Sequence, residues 1–329
     1  IDSIHKAKAQ HADLVIFAEQ AVSGTPAFDL LRKTTFLELC EDALVEIASC
    51  CDGIAAIVGL PILTADGTIS AAALIQDRKV LRYIGKKYIT ARREMGFLVP
   101  SKGYEYATIK GHKCAIIVGD DLSRERDFDQ SVETVISINA RKYGKGTMTY
   151  RYEMMRNLAF VESKNLVLVN QVGGSTDIVY DGTSGALNSR GELVLMMKNF
   201  EEDFQIFDTK ASARPITIPS TYNDRTRLVY EAARCGLRDF FRKNGYRKAS
   251  IGLSGGIDSA VVASIAADAL GAENVRALLM PSPFSSLESV EDAKELARNL
   301  GIEYNVIPIS EIYTSVVNTL KPVIGGREF

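Results

Sequence analysis

The stretch Gly252-Leu253-Ser254-Gly255-Gly256-Ile257-Asp258-Ser259 follows a short apolar run and precedes an apolar helical pattern. This order predicts a strand, a glycine-rich loop and a helix that begins at the loop. The first N–H groups of a helix have no partner inside it, and its dipole adds partial positive charge, so such a layout binds phosphate. Gly255 and Gly256 allow a close approach of the backbone to an anion, and Ser254 and Ser259 can donate hydrogen bonds.

Asp258 is the unusual member of this loop, because a carboxylate repels phosphate unless a cation lies between them. It therefore predicts Mg²⁺, which proteins bind through one or two carboxylates together with substrate phosphates. The loop fits neither the G-x-x-x-x-G-K-[ST] motif nor the G-x-G-x-x-G dinucleotide fingerprint. The alternative is an ordinary strand-to-helix turn that contains glycines. The full combination of serines, glycines and aspartate favours the phosphate site.

The overall composition is typical of a globular protein. A length of 329 residues predicts about two domains, and the net charge of −2 gives no basic field for nucleic acid or a membrane. No apolar run is long enough for a membrane span, and the first residues do not resemble a signal peptide. The five cysteines fit neither a zinc site nor a disulfide framework. We expect a cytoplasmic protein with free thiols, and the missing initiator Met predicts a fragment.

Short apolar runs alternate with turns and helical patterns in the first two thirds of the chain. Helical patterns cover 36–48 and 152–162, and two runs around Asp77-Arg78, 68–76 and 79–84, predict a hairpin. The other predicted strands are 14–18, 54–58, 114–118, 134–138 and 166–169. This mixture predicts helices layered on sheets, with some antiparallel pairing.

The pattern changes after residues 210–221, which contain two prolines and no helical period and are predicted to be a linker. A helix is predicted up to Asn244, with Gly245 as its stop. The strand and loop around 252–259 follow, and then strand 275–280, helix 289–300 and strand 304–309. This β-α-β-α-β order predicts a doubly wound parallel sheet. The predicted domains are 1–209 and 222–329, the second being incomplete.

The loop at 252–259 is similar to the S-G-G-x-D-S signature of the PP-loop ATP pyrophosphatases. With both halves considered, the chain resembles the glutamine-dependent NAD synthetases, which join a nitrilase-like amidase domain to a PP-loop synthetase domain. The resemblance rests on the segments 230–245, 252–259, 280–286, 170–174 and 181–182. It implies an α/β fold, a nitrilase-like α-β-β-α sandwich followed by a doubly wound parallel-sheet PP-loop domain.

The resemblance also implies a reaction that uses ATP and Mg²⁺. The carboxylate of nicotinic acid adenine dinucleotide attacks the α-phosphate of ATP and expels pyrophosphate, and ammonia then displaces AMP to give NAD. Residues 252–259 would bind ATP, and Asp258 would bind the metal. Further ATP contacts are expected from a segment after the next strand, namely Met280, Ser282, Ser285 and Ser286. Simple capping of the following helix is the alternative role of these serines. The family further implies a homo-oligomer.

The family makes its ammonia from glutamine with a Glu–Lys–Cys triad, and the resemblance assigns Glu19 as the base and Lys86 as the oxyanion donor. A solvated strand end is the alternative for Glu19, and a solvated lysine pair with Lys87 is the alternative for Lys86. The nucleophile position, directly before an acidic pair, is occupied by Gly119, which has no side chain to attack an amide. Cys114 cannot replace it, because five residues of strand separate the two positions by roughly 17 Å.

Other pocket positions also depart from the family pattern. Arg92 stands where the family has a tyrosine, and residues 139–142 replace a Ser-Pro segment. Together these changes predict a pocket that has lost glutamine hydrolysis, so that ammonia is supplied directly or by a partner. Two alternatives remain open. The chain could be another PP-loop amidotransferase or ligase, or its first half could be a non-catalytic scaffold that holds an oligomer together.

Overall fold

The computed structural model describes residues 1–210 and 214–324, and it divides into two compact units, Ile1–Leu228 and Val229–Phe329. The predicted linker 210–221 includes residues 211–213, which lie outside the described residues. The last five positions of the predicted domain 222–329 also lie outside them. The exact domain limits therefore stay a prediction.

The bounds of the regular elements follow the chain order. The α-helices are α1 Asp2–Ala9, α2 Thr34–Ser49, α3 Thr147–Glu162, α4 Arg225–Asn244, α5 Ile257–Leu270, α6 Leu287–Leu300 and α7 Ser310–Ile324. The first strands are β1 Leu14–Ile16, β2 Ala55–Thr64, β3 Gly67–Gln76, β4 Lys79–Gly85, β5 Glu105–Ile109, β6 His112–Val118, β7 Thr134–Asn139 and β8 Asn165–Asn170. The remaining strands are β9 Val172–Ser175, β10 Ile178–Asp181, β11 Gly185–Leu187, β12 Leu193–Met196, β13 Ala249–Gly252, β14 Val275–Leu279 and β15 Glu303–Val306.

The first unit contains two large sheets that pack face to face, and a small antiparallel sheet of β9 and β10. One sheet has the strand order β1-β2-β3-β4, and the other has the order β12-β11-β8-β7-β6-β5. Ile57 and Leu74 of the first sheet share one buried cluster with Ile116 and Ile138 of the second. Because side chains alternate between the faces of a strand, the neighbours of these residues point outward.

Helices cover the two outer faces. Ile4 of α1 and Leu44 of α2 pack with Ala56 of β2, and on the other side Met155 of α3 packs with Val135 of β7. The result is the four-layer α-β-β-α sandwich that the sequence predicted. Strands buried on both faces explain why the sequence shows continuous apolar runs rather than alternation.

The predicted hairpin forms between β3 and β4. Asp77 and Arg78 make its two-residue turn, and both adopt left-handed backbone angles, with φ of 49° and 63°. Turns of this hand match the right-handed twist of the paired strands. The hairpin ends at Gly85, and Lys86 follows it directly.

The second unit contains a parallel sheet in the order β13-β14-β15. Helices α5 and α6 contact each other and the sheet, and their inner faces carry small residues. Ala263 and Ala297 pack against Ala277 and Leu279, which allows helices and sheet to approach closely. The α/β fold class is thereby confirmed, whereas α7 was not predicted from the sequence. In residues 1–210 and 214–324, no helix is long and apolar enough to cross a membrane.

Candidate functional site

Glu19 lies just beyond β1, on a segment that crosses directly over β2. The crossing depends on Gly59, because a Cβ at that position would lie 2.2 Å from the Ala18 carbonyl oxygen and 2.7 Å from the Glu19 Cα. A side chain cannot fit at such distances. The close crossing carries the Glu19 side chain into the protein, where its residue is 1% exposed.

The Glu19 carboxylate is held by neutral and charged donors. Ser70 Oγ and Lys86 Nζ donate to Oε1 at 2.9 Å and 3.1 Å, and the Ala140 backbone N–H donates to Oε2 at 3.1 Å. Gln171 Nε2 donates to the Glu19 carbonyl oxygen at 3.1 Å. These bonds fix the orientation of the carboxylate and leave it able to accept a further hydrogen bond.

Lys86 lies at the end of the hairpin, 3% exposed, between two carboxylates. Besides Glu19, its ammonium contacts both carboxylate oxygens of Glu94, at 3.1 Å and 2.9 Å. Burial alone would lower the pKa of Lys86, but the attraction of Glu19 and Glu94 outweighs it and raises the pKa well above the ordinary value. Burial and the neighbouring Glu19 charge raise the pKa of the Glu94 carboxyl. Lys86 is therefore a permanently charged centre of a buried cluster.

Gly119 follows β6 with a left-handed φ of 64°. A Cβ built on it would lie 2.7 Å from Lys86 Cε, 2.9 Å from Lys86 Nζ and 3.0 Å from Glu19 Oε2. The structure thus brings together the three positions that the family resemblance assigned to catalysis. It also places the Lys86 side chain in the space that a side chain at position 119 would need.

The acidic pair after Gly119 anchors the loop behind Lys86. Asp121 is fully buried and accepts hydrogen bonds from the backbone N–H groups of Lys87 at 2.7 Å and Tyr88 at 2.9 Å. Asp120 forms an ion pair with Arg141 at 3.0 Å. Burial would raise the pKa of Asp120, but a hydrogen bond from Thr90 and the Arg141 charge lower it below the ordinary value. Both carboxylates thus serve to fix loops around the pocket.

Sequence reasoning missed Glu94. It lies in an irregular segment with no periodic signal, and only the fold reveals its contact with Lys86. The predicted pocket residue Arg92 is exposed, whereas its neighbour Arg93 makes a two-bond ion pair with Asp177 at 2.5 Å and 2.7 Å. Cys114 lies between the two sheets, where burial raises the pKa of its thiol to about 11. That thiol is neither activated nor near Gly119.

The arrangement around Glu19 contains a carboxylate and a cation, but position 119 offers no attacking atom. In a triad of this kind the base removes a proton from the nucleophile, and the cation stabilises the oxyanion that the attack creates. With glycine at position 119, no covalent bond to an amide carbon can form there. The pocket can orient and polarise groups, but it cannot carry out the first step of amide hydrolysis by a thiol.

The second candidate site is the loop between β13 and α5. Ser254 Oγ lies 3.1 Å from Ser259 Oγ, and Ser259 Oγ donates to the Gly256 carbonyl oxygen at 2.9 Å. Gly255 has a φ of 81°, and a Cβ there would lie 2.2 Å from the backbone oxygen of Ser289 in α6. The loop is therefore compact because its glycine touches the first turn of the next helix.

The beginning of α5 is open. Gly256 precedes the helix without a side-chain cap, and Ile257 and Asp258 in the first turn are exposed. The first N–H groups of a helix lack acceptors within it, so they are available to an anion. Among the described residues no group of three or more metal-ligating side chains occurs. A single exposed carboxylate nevertheless fits Mg²⁺, since this ion takes its other ligands from phosphates and water.

The serines after β14 form a local network. Ser282 N–H donates to Ser285 Oγ at 3.0 Å, and the hydroxyls of these residues lie 3.3 Å apart. Ser286 caps α6, because it accepts the Ser289 N–H at 3.1 Å. The capping role is thus observed for Ser286, while Ser282 and Ser285 remain exposed or half-buried beside it. Met280 Cε lies 3.5 Å from the Cβ position of Gly252 at the start of the phosphate loop.

The chain is similar to known proteins over nearly its whole length. Residues 229–325 match the family model described as NAD synthase. The chain is 32% identical to the glutamine-dependent NAD(+) synthetase of Acinetobacter baylyi over 99% of its length, and 33% identical to that of Aquifex aeolicus over 96%. It spans 62% and 63% of the length of these two relatives.

Solved structures agree with this similarity. The structure of the glutamine-dependent NAD+ synthetase from Acinetobacter baumannii, in complex with adenosine diphosphate, matches with a TM-score of 0.88 and 31% identity. The match covers 100% of this chain and 64% of that one. An amidase of the nitrilase superfamily from Nesterenkonia AN1 matches 60% of this chain and 78% of its own, with a TM-score of 0.53 and 18% identity, which shows the fold alone. By sequence and by fold, the chain is therefore similar to the glutamine-dependent NAD synthetases over nearly its whole length, and its residues 229–325 match the NAD synthase family.

Proposed function

We propose that the protein makes NAD by ATP-dependent amidation of nicotinic acid adenine dinucleotide. The substrate carboxylate attacks the α-phosphate of ATP, pyrophosphate leaves, and ammonia displaces AMP from the adenylated intermediate. The observation that carries this proposal is the open start of α5 behind the loop 252–259, in a chain related to NAD synthetases. Phosphate-rich substrates are what such a loop binds best.

The loop supplies the electrostatic part of the chemistry. The N–H groups at the start of α5 and the hydroxyls of Ser254 and Ser259 would hold the phosphates of ATP. Asp258 would hold Mg²⁺, which offsets the phosphate charge when it is bound. The adenosine diphosphate bound by the Acinetobacter baumannii relative supports nucleotide binding by this unit. Met280, Ser282, Ser285 and Ser286 would contact the same nucleotide.

Ammonia, rather than glutamine, is the proposed nitrogen source. Glu19 and Lys86 are in place, but the position between them is Gly119, and Lys86 fills the space of a side chain there. Without a nucleophile, no thioester forms, and direct attack of water on an amide is slow. Ammonia would therefore come from solution or from a partner amidase.

Product analysis tests both parts of the proposal. The protein is incubated with ATP, Mg²⁺ and nicotinic acid adenine dinucleotide, and ammonium or glutamine is added in separate reactions. We expect NAD, AMP and pyrophosphate with ammonium and only background NAD with glutamine. NAD formation from glutamine would overturn the ammonia proposal. AMP formation on another carboxylate or nucleobase, without NAD, would instead support a different PP-loop ligase.

A second role concerns the first unit, which forms a four-layer sandwich although position 119 carries no side chain. We propose that this unit serves as a scaffold in a cytoplasmic homo-oligomer. Phe160 and Val161, on the outer side of α3, are 67% and 73% exposed, and apolar side chains of this kind are common in subunit contacts. Light scattering of the whole protein should show an oligomer. A monomer at micromolar concentration would contradict the scaffold role.

A further inference from the structure

A buried polar cluster lies directly behind the segment that touches Glu19. Its centre is Asn170, which ends β8 and is 4% exposed. The Asn170 side chain is bound to both backbone groups of Arg141: Oδ1 accepts the Arg141 N–H at 2.8 Å, and Nδ2 donates to the Arg141 carbonyl oxygen at 3.1 Å. Because the two bonds hold the peptide groups on both sides of Arg141, they fix the position and the orientation of its backbone.

The amide of Asn170 is itself oriented by an ion pair. Asn170 Nδ2 donates to Asp181 Oδ1 at 3.0 Å, and Arg151 Nη2 donates to both carboxylate oxygens of Asp181 at 2.8 Å. Arg151 and Asp181 are 1% and 2% exposed. Arg151 Nη1 also donates to the Gly182 carbonyl oxygen at 3.0 Å. Because Asp181 accepts only, it selects the amide orientation in which Asn170 Nδ2 faces it.

The peptide held by Asn170 is next to the one that binds the carboxylate of Glu19. Ala140, directly before Arg141, donates its N–H to Glu19 Oε2 at 3.1 Å. The Arg141 guanidinium pairs with Asp120, the neighbour of Gly119. We propose that Asn170 is a positioning residue for Glu19, holding the Arg141 peptide so that the Ala140 N–H stays on the Glu19 carboxylate.

This role goes beyond the proposed synthesis of NAD and does not depend on it. The sequence shows Asn170 only as part of a segment that resembles the family. The structure shows that the segment reaches Glu19 by two paths, since Gln171 also donates to the Glu19 carbonyl oxygen. The strand end thereby fixes both the backbone and the carboxylate of Glu19.

Residue-level hydrogen exchange separates positioning from general stability. In Asn170→Ala, exchange of the Ala140 and Arg141 amides should accelerate roughly tenfold or more. The Arg141 N–H loses its acceptor, and the Ala140 N–H loses the neighbouring backbone bonds that hold it on Glu19. Tyr143 is an internal control, since its N–H donates to the Val179 carbonyl oxygen at 2.7 Å. Its exchange should change less than twofold. A matched variant, Asn165→Ala, removes an exposed bond at the other end of β8, to Thr209 at 3.4 Å, and should leave all three amides unchanged.

Asn170→Asp provides the second variant if Asn170→Ala does not fold. The aspartate keeps an acceptor for the Arg141 N–H but loses the donor to the Arg141 carbonyl and faces Asp181 with like charge. We expect an intermediate result, with Arg141 exchange closer to the parent protein than Ala140 exchange. Unchanged Ala140 exchange in either variant would overturn the proposal. An equal acceleration at Ala140, Arg141 and Tyr143 would also overturn it, because it would show general loosening.

Discussion

The pocket around Glu19 and the loop at the start of α5 use charge in opposite ways. In the pocket, Glu19 and Lys86 are almost fully buried, and each charge is satisfied by a protein partner. In the loop, Asp258 and the beginning of the helix are exposed, and Ile257 is 76% exposed. A buried, internally paired cluster preserves a shape, whereas an open row of donors can bind a ligand. The comparison shows that a pocket can keep its structure when its charges are paired inside the protein, whereas binding a ligand needs polar groups that are left open to it.

Lys86→Met should give the largest effect in the pocket. The change keeps the volume but leaves the buried Glu19 and the half-buried Glu94 without their cation, which costs roughly 3–5 kcal/mol of unfolding free energy. Urea unfolding followed by circular dichroism measures this loss.

The neighbouring Lys87→Met is the matched control for the pocket. Lys87 Nζ makes a half-exposed pair with Glu125 at 3.2 Å and lies 5.1 Å from the centre of the Tyr88 ring, so its loss should cost far less than that of Lys86. Its backbone N–H, which binds Asp121, is untouched. Equal losses in the two variants would contradict the view that the pocket is a structural ion cluster.

Gly255→Ala should give the largest effect in the loop. An alanine there combines a left-handed φ of 81° with a steric clash, since its Cβ would lie only 2.2 Å from the Ser289 carbonyl oxygen. The two costs add to roughly 2–5 kcal/mol, so ATP·Mg²⁺ binding should weaken at least about 100-fold. Calorimetric titration measures the change.

Gly256→Ala tests whether the loop merely needs glycines. Gly256 has a φ of −86°, and its Cβ would meet only Ser254 Oγ, at 3.5 Å. Binding should therefore change by less than about tenfold. If Gly256→Ala weakens binding as much as Gly255→Ala, contact of the loop with α6 is not the reason for the glycine.

Asp258→Asn should reduce AMP formation by a factor of about 100 or more, because losing a metal contact costs several kcal/mol at the transition state. The fold should be unaffected, since the side chain is exposed. Glu288→Gln is the control, an exposed acidic residue in the first turn of α6. It should change the rate only slightly. Normal turnover by Asp258→Asn would show that this carboxylate does not hold Mg²⁺.

The sequence predicted those parts of the molecule that depend on local pattern. The hairpin around Asp77 and Arg78 and the strand before the phosphate loop follow from short-range preferences and from apolar runs. The position of Gly119 relative to Glu19 came from the family resemblance, and the structure places the two side by side. Whether these residues act as assigned stays a prediction.

Polar contacts made by irregular segments and strand ends were beyond the reach of sequence reasoning. Glu94 binds Lys86 from an irregular segment, and Asn170 binds a peptide 29 positions away. Such contacts produce no periodic pattern and no characteristic spacing in the sequence, because they depend on where loops meet in the folded chain. The role of Arg92 as a pocket residue stays a prediction, and its side chain is exposed.

Gly119→Cys tests the smallest expected effect, a gain of glutamine hydrolysis. The parent protein should release no glutamate from glutamine. The new thiol would lie beside Glu19, but its Cβ falls 2.7 Å from Lys86 Cε, and the left-handed φ of 64° disfavours any side chain. Lys86 must therefore move away from its pairs with Glu19 and Glu94, and a misplacement of about 1 Å can cost ~100-fold in rate. Glutamate release should stay within about tenfold of background.

Gly119→Ala separates the cost of the Cβ from the chemistry of the thiol. Both variants should lose similar unfolding free energy, because both place the same atom against Lys86. Robust glutamate release by Gly119→Cys alone would show that the Lys86 side chain moves aside at little cost and that the rest of the pocket can still hydrolyse glutamine. Release by the parent protein would show that another group attacks the amide. If neither protein releases glutamate while both keep the fold, the pocket has lost more than a nucleophile, since its cation now fills the space that the nucleophile requires.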